Sequence, residues 1–318
     1  MNFKLFSQRT KERLIDSKRK IKIVASPISE DIVSNTLLDI RIFFSNEGLS
    51  YEYYELEQFL QSFPNSNQDF IYKIIHGAIN RTGVFQNFCD SKEILYTGHY
   101  LQTDLLAQDK LFAKKIMEGK SIPTPQFQIF PGDMEVILDF AYAKPNQAFV
   151  IKPNNGNSSE GVQYVDGAKA LKLVLLDLNP KIKYLIENYI PGRIYTVGVI
   201  PLDNQLFLTA PMEYIISNNA NIMDSDWKKT PIRRVNRQMP TNIVENMQRF
   251  ATDLHNAIDA IGITRSDFIL SPNGEVYALE INSNVGLSRS NDVPYALQEM
   301  GYDYSNIVYA NIFTAFNR

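Results

Sequence analysis

The pattern of apolar and polar residues predicts that the chain begins with alternating strands and helices. A buried strand is predicted at 22–25, followed at 31–46 by a helix whose apolar residues recur at mostly helical spacing. Two further strands are predicted at 50–56 and 69–75. This order is typical of a doubly wound α/β unit, in which binding sites form at the carboxyl ends of the strands.

Polar residues stand at two of those strand ends. Ser29 and Glu30 follow the first strand, and His76 and Gly77 follow the third. We therefore expect these residues to lie in one crevice. A histidine such as His76 is by itself more often a hydrogen-bonded structural residue, so the pattern alone leaves both interpretations open.

The rest of the chain contains predicted elements bounded by glycine and proline. A helix is predicted at 110–118, and the proline-containing segment 122–125 indicates a linker. From 241 to 261, apolar residues at steps of three and four predict a core helix that Gly262 caps. The stretch 217–240 carries only weak signals.

A strand followed by a polar loop favours phosphate binding. Lys152 ends the apolar strand that begins at Phe149, so its stem can pack while its ammonium reaches outward. The loop from 155 to 161 is rich in small residues, and backbone N–H groups such as those of Ser158 and Ser159 can hold phosphate oxygens. A single lysine is usually a surface residue, but the strand, the lysine and the loop together indicate phosphate contact.

A predicted β-hairpin at 266–282 carries a group of oxygen ligands. It turns at Asn273-Gly274, a dipeptide that favours hairpin turns. Glu280 and Asn282 are two residues apart and so share a face, and Asp267 can pair with them across the hairpin. Such ligands suit Mg²⁺, and the alternative is an exposed hairpin with solvated acids.

The composition is that of a globular protein. With 318 residues, 44% of them hydrophobic, the chain is expected to form two or three domains. The net charge of -3 argues against a general nucleic-acid binder, and no apolar run is long enough to span a membrane. The single Cys89 excludes an internal disulfide and fits the reducing cytoplasm, where we expect the protein to act. The basic segment 1–20 is predicted to be a short amphipathic helix on the body or a partly ordered tail.

The Lys152 loop and the hairpin with Asp267, Glu280 and Asn282 together resemble the ATP-grasp ligases, and more narrowly the D-alanine–D-alanine ligase family. The resemblance runs from about Ile21 to the C-terminus. It implies an α/β, three-domain ATP-grasp fold. Its parts are an N-terminal extension at 1–20, a doubly wound pre-ATP-grasp domain at 21–108, a central ATP-grasp domain at 109–191 and a C-terminal ATP-grasp domain at 192–318.

The resemblance implies that ATP is held between the central and C-terminal domains. The implied nucleotide contacts are the lysines Lys110, Lys152 and Lys228, the loop residues Ser158 and Ser159, the hinge residue Glu187 and the backbone from Asn188 to Ile190. Two Mg²⁺ ions, which Mn²⁺ can replace, are implied at Asp267, Glu280 and Asn282. The acid that binds ribose in the family is absent, because Ile194 stands at its position.

The implied reaction is an ADP-forming ligation in two steps. A carboxylate attacks the γ-phosphate of ATP, and an amine then attacks the acylphosphate. Arg265 matches the arginine that stabilises the oxyanion, and the backbone amide of Gly286 assists it. Glu30 matches the glutamate that binds the ammonium of the first amino acid, Ser158 matches the serine linked to that glutamate by hydrogen bonds, and His76 is implied as a further substrate-binding residue.

The acceptor side departs from the family pattern. Asn291, next to the candidate residue Ser290, replaces the serine that holds the second substrate's carboxylate, and Lys229 follows Lys228 where the family has a Lys-Tyr pair. We therefore expect a carboxylate–amine ligase for a non-standard amino acid or a peptide, with an acceptor other than D-alanine. The alternatives are a D-alanine–D-alanine ligase of cell-wall synthesis and a nucleotide-binding homologue without turnover. The expected partners are small amino acids or peptides, and a homodimer is left open.

Overall fold

The computed structural model describes residues 3–27, 31–61, 67–144, 146–156, 160–215 and 232–318. The strands within these ranges form three sheets, each with helices packed against it. The first sheet is parallel and the other two are antiparallel, so the predicted α/β class is confirmed.

The first sheet has the strand order β2-β1-β3-β4. Its strands are β1 (Lys20–Ala25), β2 (Glu52–Glu55), β3 (Asp69–Ile74) and β4 (Leu95–Tyr96), and the helices of this part are α1 (Phe3–Asp16), α2 (Asp31–Asn46), α3 (Leu56–Gln61), α4 (Gly77–Arg81), α5 (Val84–Asp90) and α6 (Leu101–Gln108). The helix predicted at 31–46 is confirmed. The two central strands are apolar on both faces, as a covered parallel sheet requires: Ile23, Val24 and Ile71 are fully buried.

The second sheet has the order β5-β8-β6-β7. Its elements, with the helix that precedes it, are α7 (Lys110–Gly119), β5 (Phe127–Phe130), α8 (Met134–Tyr142), β6 (Ala148–Pro153), β7 (Gln163–Asp166), α9 (Gly167–Asp177) and β8 (Tyr184–Asn188). Helices α8 and α9 bury Ile137 and Leu171 against Phe149 and Ile151 of β6. The apolar strand that ends near Lys152 is thus held on a packed layer.

The third sheet has the order β12-β11-β9-β13-β14, with β10 also paired to β9. Its elements are β9 (Arg193–Leu202), β10 (Gln205–Leu208), β11 (Met212–Tyr214), β12 (Arg233–Val235), α10 (Thr241–Ala257), β13 (Thr264–Leu270), β14 (Val276–Asn282), α11 (Asp292–Glu299), α12 (Tyr304–Thr314) and a final 3₁₀ turn (Ala315–Asn317). The predicted hairpin is confirmed as β13 and β14, and Gly274 in its turn has a positive φ of 86°.

The core helix α10 ends earlier than the apolar stripe predicted. It stops at Ala257, and Asp259 just beyond it has a φ of 50°. Gly262, the predicted cap, has a different role. Its N–H donates to His99 Nδ1 at 3.3 Å, and a Cβ at this position would lie 2.9 Å from His99 Nε2. The glycine is needed for this close approach and not for ending the helix.

The N-terminal segment forms the amphipathic helix α1 on the body of the protein. Phe3, Phe6 and Leu14 are buried in the core that surrounds α12, and the ring of Phe6 meets Phe313 edge-on at 5.1 Å. Helix α7 packs on the third sheet, where Ala113 joins the apolar cluster around Phe250 of α10. In the described ranges no helix is both long and apolar enough to cross a membrane.

Candidate functional site

The β13–β14 hairpin brings the predicted metal-binding residues together. Asp267 lies directly opposite Glu280, and Arg265 lies opposite Asn282. A bulge follows Asp267, where the register of the two strands shifts. Asp267 is only 4% exposed, whereas the side chain of Glu280 is 31% exposed, so the acidic face is accessible from the Glu280 side.

Arg265 is held between two aspartates. Its Nε and Nη2 donate to the two carboxylate oxygens of Asp267 at 2.9 and 2.8 Å, and its Nη1 donates to Asp292 Oδ2 at 2.8 Å. Glu280 Oε1 lies 3.8 Å away, and Thr196 donates to Asp267 at 2.7 Å. Burial alone would lower the pKa of Arg265, but the surrounding acids, Asp267 first, raise it well above its ordinary value. The guanidinium is therefore fixed in place and always charged.

The donor set on the hairpin fits a magnesium ion. Two carboxylates and the amide oxygen of Asn282 are hard ligands, and Mg²⁺ in nucleotide sites usually takes one or two carboxylates together with phosphate oxygens and water. Across the described part of the chain, no cluster of three or more His, Cys, Asp or Glu side chains is arranged to hold a metal. A metal at this hairpin would therefore depend on phosphate oxygens for its remaining ligands.

Two lysines flank the buried carboxylate of Glu187. Lys152 Nζ lies 2.7 Å from Glu187 Oε1, and Lys114 Nζ lies 3.1 Å from the same oxygen. Burial raises the pKa of Glu187, but the two lysines outweigh it and the net pKa is lowered. Burial lowers the pKa of Lys114 to about 8, against the opposing effect of Glu187. Lys152, at the predicted position, keeps 10% of its side chain exposed.

A chain of hydrogen bonds links this lysine pair to the hairpin. Lys114 Nζ donates to Thr124 Oγ1 at 2.5 Å, and Thr124 Oγ1 donates to the carbonyl oxygen of Ala278 at 2.7 Å. Ala278 is two residues before Glu280 on β14, and Glu280 contributes to the electrostatic field at Lys114. The two halves of the predicted nucleotide site are thus physically joined.

Lys110 reaches the loop that follows β6. Its Nζ donates to the carbonyl oxygen of Gly156 at 2.5 Å, and the N-terminus of α7 is attached to the same loop by the bond from Leu111 N to Asn154 Oδ1 at 2.8 Å. The predicted lysine is therefore at the loop. Ser158 and Ser159, the predicted backbone donors, lie outside the described residues.

The hinge after β8 offers one backbone donor for a nucleotide base. The N–H of Asn188 donates to Gln126 O at 2.9 Å, and the N–H of Tyr189 donates to Ala148 O at 2.8 Å. These two N–H groups are engaged within the sheet, so they are not the donors for a base in this structure. Among the described residues the N–H of Ile190 has no backbone partner, so the prediction of a base contact rests on Ile190 and on backbone carbonyls.

His76 lies at the wall of a cavity of about 40 Å³. Ser29 and Glu30, which were expected in one crevice with it, lie outside the described residues. The loop after β14 forms another wall, through Ser283 and Asn284. Burial, followed by the charge of Lys73, lowers the pKa of His76 to about 4, so the ring is neutral at physiological pH. A cavity of this size holds water molecules or a small polar group.

Asp104, which the sequence did not single out, ties this crevice together. Its carboxylate accepts hydrogen bonds from Ser283 at 2.7 Å, Gln86 at 2.9 Å, and Lys73 and Asn80 at 3.2 Å each. Burial raises the pKa of Asp104, but Lys73, His99 and these donors outweigh it and lower the net pKa. One buried carboxylate thus connects the end of β3, helix α4 and the loop that follows the candidate metal ligands.

Replacing Asp104 with Ala should destabilise the protein strongly. Lys73 would remain charged in a buried position without its partner, and breaking such a pair costs about 3–5 kcal/mol in the free energy of unfolding. Since the folded-state pKa of Asp104 is lowered, its contribution is present above the unfolded pKa of about 3.9 and is lost as the pH falls through the folded pKa. Urea unfolding at pH 7 and in acid measures both effects. Asp139→Asn, on the exposed surface, is the control, and equal stability of the two variants at pH 7 would refute the role.

The predicted substrate residues after β14 form a tight turn. Asn291 Oδ1 accepts from the backbone and hydroxyl of Ser288 at 2.8 and 2.7 Å, and Ser290 Oγ lies 3.1 Å from Ser288 Oγ. A Cβ on Gly286 would lie 2.7 Å from Asn291 Oδ1 and 2.8 Å from Ile32 Cδ1, so any larger residue there would have to displace these side chains. The predicted residues Glu30, Lys228 and Lys229 lie outside the described residues.

Sequence reasoning missed the charged partners of the predicted residues. Lys114 follows Lys110 by one helical turn and interrupts the apolar face of α7, a signal that could have been used. Asp292 follows Asn291 directly, but nothing in the sequence pairs it with Arg265 or with Arg233. These pairs join residues that are far apart along the chain, and they appear only when the sheets are packed.

Comparisons with known proteins agree with this geometry. A sequence model described as the D-ala D-ala ligase C-terminus matches residues 119–312. The D-alanine–D-alanine ligase of Gloeobacter violaceus is 27% identical over 246 residues, which cover 76% of this chain and 80% of that protein.

Solved structures share the whole fold. The Bacillus anthracis D-alanine–D-alanine ligase complexed with ATP has a TM-score of 0.73 at 19% identity, with 94% of this chain and 98% of that chain covered. The VanG D-Ala:D-Ser ligase from Enterococcus faecalis has a TM-score of 0.75 at 17% identity, with 94% and 99% covered. These likenesses confirm the three-domain ATP-grasp fold. Because the family's C-terminal model spans well over half of the residues, the chain belongs to the D-alanine–D-alanine ligase family.

Proposed function

We propose that the protein is an ATP-dependent, ADP-forming ligase that joins the carboxylate of one amino acid to the amine of a second through an acylphosphate. The observation that carries this proposal is the position of Arg265, which is fixed between Asp267 and Asp292 on the face that also bears Glu280. A permanent cation beside oxygen ligands for a metal suits a reaction in which negative charge builds up on a phosphate and then on a carbonyl oxygen.

The lysines support phosphate binding in this proposal. Lys110 and Lys152 each contact a protein oxygen, but an ammonium has three donors, so both can also donate to phosphate oxygens. Lys114 is completely buried and would act on the nucleotide through Glu187, whose orientation it fixes.

The hairpin residues would hold Mg²⁺ through Asp267 and Glu280, with Asn282 as a neutral ligand. The ion, when bound, neutralises charge on the phosphates. Arg265 can then keep Asp292 as its partner while the oxygens of Asp267 serve the metal. The guanidinium thereby stays beside the position where the oxyanion would form.

The comparisons favour D-alanine for both substrates over the non-standard acceptor that the sequence suggested. One relative is a D-Ala:D-Ser ligase, so acceptors differ among proteins with this fold. A ligase with another acceptor remains the second candidate. It is favoured by Asn291, which stands where the family has the serine that holds the acceptor's carboxylate and whose Oδ1 is engaged by Ser288. The amide N–H groups of Asn291 can still donate to a carboxylate.

The purified protein with ATP, Mg²⁺ and D-alanine is expected to release ADP and to form D-alanyl-D-alanine. ADP release and the product's mass are measured with D-alanine alone and then with D-alanine plus each member of a set of D- and L-amino acids and dipeptides. L-alanine alone is the control. Preferred formation of a mixed product would select the second candidate, and ADP release that no amino acid stimulates would contradict ligase function.

A further inference from the structure

A second arginine lies beside the candidate acceptor turn. Arg233 Nη1 donates to Asp292 Oδ1 at 2.6 Å, and its Nη2 donates to the carbonyl oxygen of Ser290 at 2.6 Å. The other carboxylate oxygen of Asp292, Oδ2, accepts a hydrogen bond from Arg265 Nη1. One carboxylate therefore separates Arg233 from the arginine assigned to the oxyanion.

The orientation of Arg233 is fixed by its surroundings. It lies at the start of β12, opposite Tyr214 of β11, and its guanidinium stands 5.0 Å from the centre of the Tyr295 ring. Tyr214 hydrogen-bonds to Asp292, the acid that Arg233 shares with Arg265. The side chain of Arg233 is 13% exposed, so it is held in place but can still be reached.

Arg233 has hydrogen-bond donors left for an anion. It shares the carboxylate of Asp292 with Arg265, so this one acid is the ion-pair partner of two guanidiniums. Its bonds to Asp292 and Ser290 use two of the five N–H donors of Arg233. The remaining donors suit a carboxylate, which a guanidinium can bind with two parallel hydrogen bonds.

We propose that Arg233, positioned by Asp292, binds the α-carboxylate of the acceptor and makes the enzyme select acceptors that carry a free carboxylate. This inference rests on the proposed ligase function and names the substrate class of its acceptor site. The acceptor's amine would then lie on the Arg265 side of Asp292, where the acylphosphate carbonyl is attacked. Arg233 thereby supplies a charged contact for the carboxylate, whereas Asn291 can offer it only neutral amide N–H groups.

The test compares an acid with its amide as the acceptor. ADP release and product mass are measured with D-alanine as donor and with either D-alanine or D-alaninamide as acceptor, for the wild type, Arg233→Gln and Arg233→Lys. The control is Arg234→Gln. Arg234 is the next residue on the same strand, but it pairs with Glu213 and its side chain is 59% exposed. The KM for ATP and the thermal unfolding midpoint are recorded for each variant.

The wild type should prefer the acid, and Arg233→Gln should raise the acceptor KM for the acid by about ten- to hundredfold, because a hydrogen bond to a charged group is lost. The preference for acid over amide should then fall to near one, with the KM for ATP unchanged. Arg233→Lys should keep part of the preference because it keeps the charge without the planar fork.

The outcomes separate the two proposals. Normal wild-type turnover with an unchanged acid preference in Arg233→Gln would overturn the role of Arg233 alone. A loss of preference in Arg234→Gln equal to that in Arg233→Gln would also overturn it, since a general change in surface charge would explain both. Absence of amino-acid-dependent turnover in the wild type would contradict the ligase function, and this inference with it.

Discussion

Glu280→Gln should lower the turnover number by on the order of a hundredfold or more. Glu280 lies opposite Asp267 on the hairpin, and its carboxylate is accessible enough to bind a metal that the phosphates also contact. The amide is nearly the same size but is a neutral and weaker ligand. The variant should therefore fold normally and require a higher Mg²⁺ concentration for half-maximal ADP release.

Glu275→Gln is the matched control for this prediction. Glu275 is exposed in the turn of the same hairpin and contacts Asn273 and Tyr277 there, away from Asp267. Its replacement should leave turnover and the Mg²⁺ requirement unchanged. If Glu280→Gln released ADP at the wild-type rate with a true substrate present, the assignment of Glu280 to the metal would be wrong.

Arg265→Ala should reduce kcat by about a hundredfold or more and leave the affinity for ATP nearly unchanged. The guanidinium is needed when the carbonyl oxygen becomes an oxyanion, so its removal costs transition-state stabilisation and not ground-state binding. Single-turnover ADP formation and ATP titration measure the two quantities separately. Equal losses in both would identify Arg265 as a nucleotide contact or a structural residue.

Two further variants distinguish a loss of catalysis from a loss of folding. Arg265→Lys keeps a positive charge between Asp267 and Asp292, so it should fold like the wild type. It should recover only part of the lost kcat, because a single ammonium nitrogen cannot reproduce the planar group whose three nitrogens reach both aspartates. Arg249→Ala, on the exposed surface of α10, removes an arginine far from the hairpin and should change neither quantity.

The sequence alone determined the elements whose signals are local. The hairpin of β13 and β14 is one example: the Asn273-Gly274 turn marks where the chain reverses, and alternation along β14 places Glu280 and Asn282 on one face. The bulge after Asp267, which the pattern did not predict, then brings Asp267 opposite Glu280. The strand ending near Lys152 and the helix from Asp31 to Asn46 are others. In each case the spacing of apolar residues and the turn-forming residues act within a few positions of the chain, so the local sequence predicts the element.

Local signals failed where a residue's role depends on a distant neighbour. Gly262 follows an apolar helical stripe and has the sequence signature of a helix cap, but it makes room for His99, which is 163 residues away along the chain. Nothing within a short window distinguishes these two uses of a glycine. The end of α10 was therefore misplaced, although its apolar face was predicted correctly.

Only the tertiary structure decided how the predicted charges are balanced. Lys114 meets Glu187 between α7 and β8, Asp104 meets Ser283 across 179 residues, and Asp292 joins Arg265 to Arg233. Hydrophobic periodicity places each of these residues on a face of its own element but does not say which charged group of another element will face it. A buried charge is stable only with a partner, so this pairing depends on how the three sheets pack.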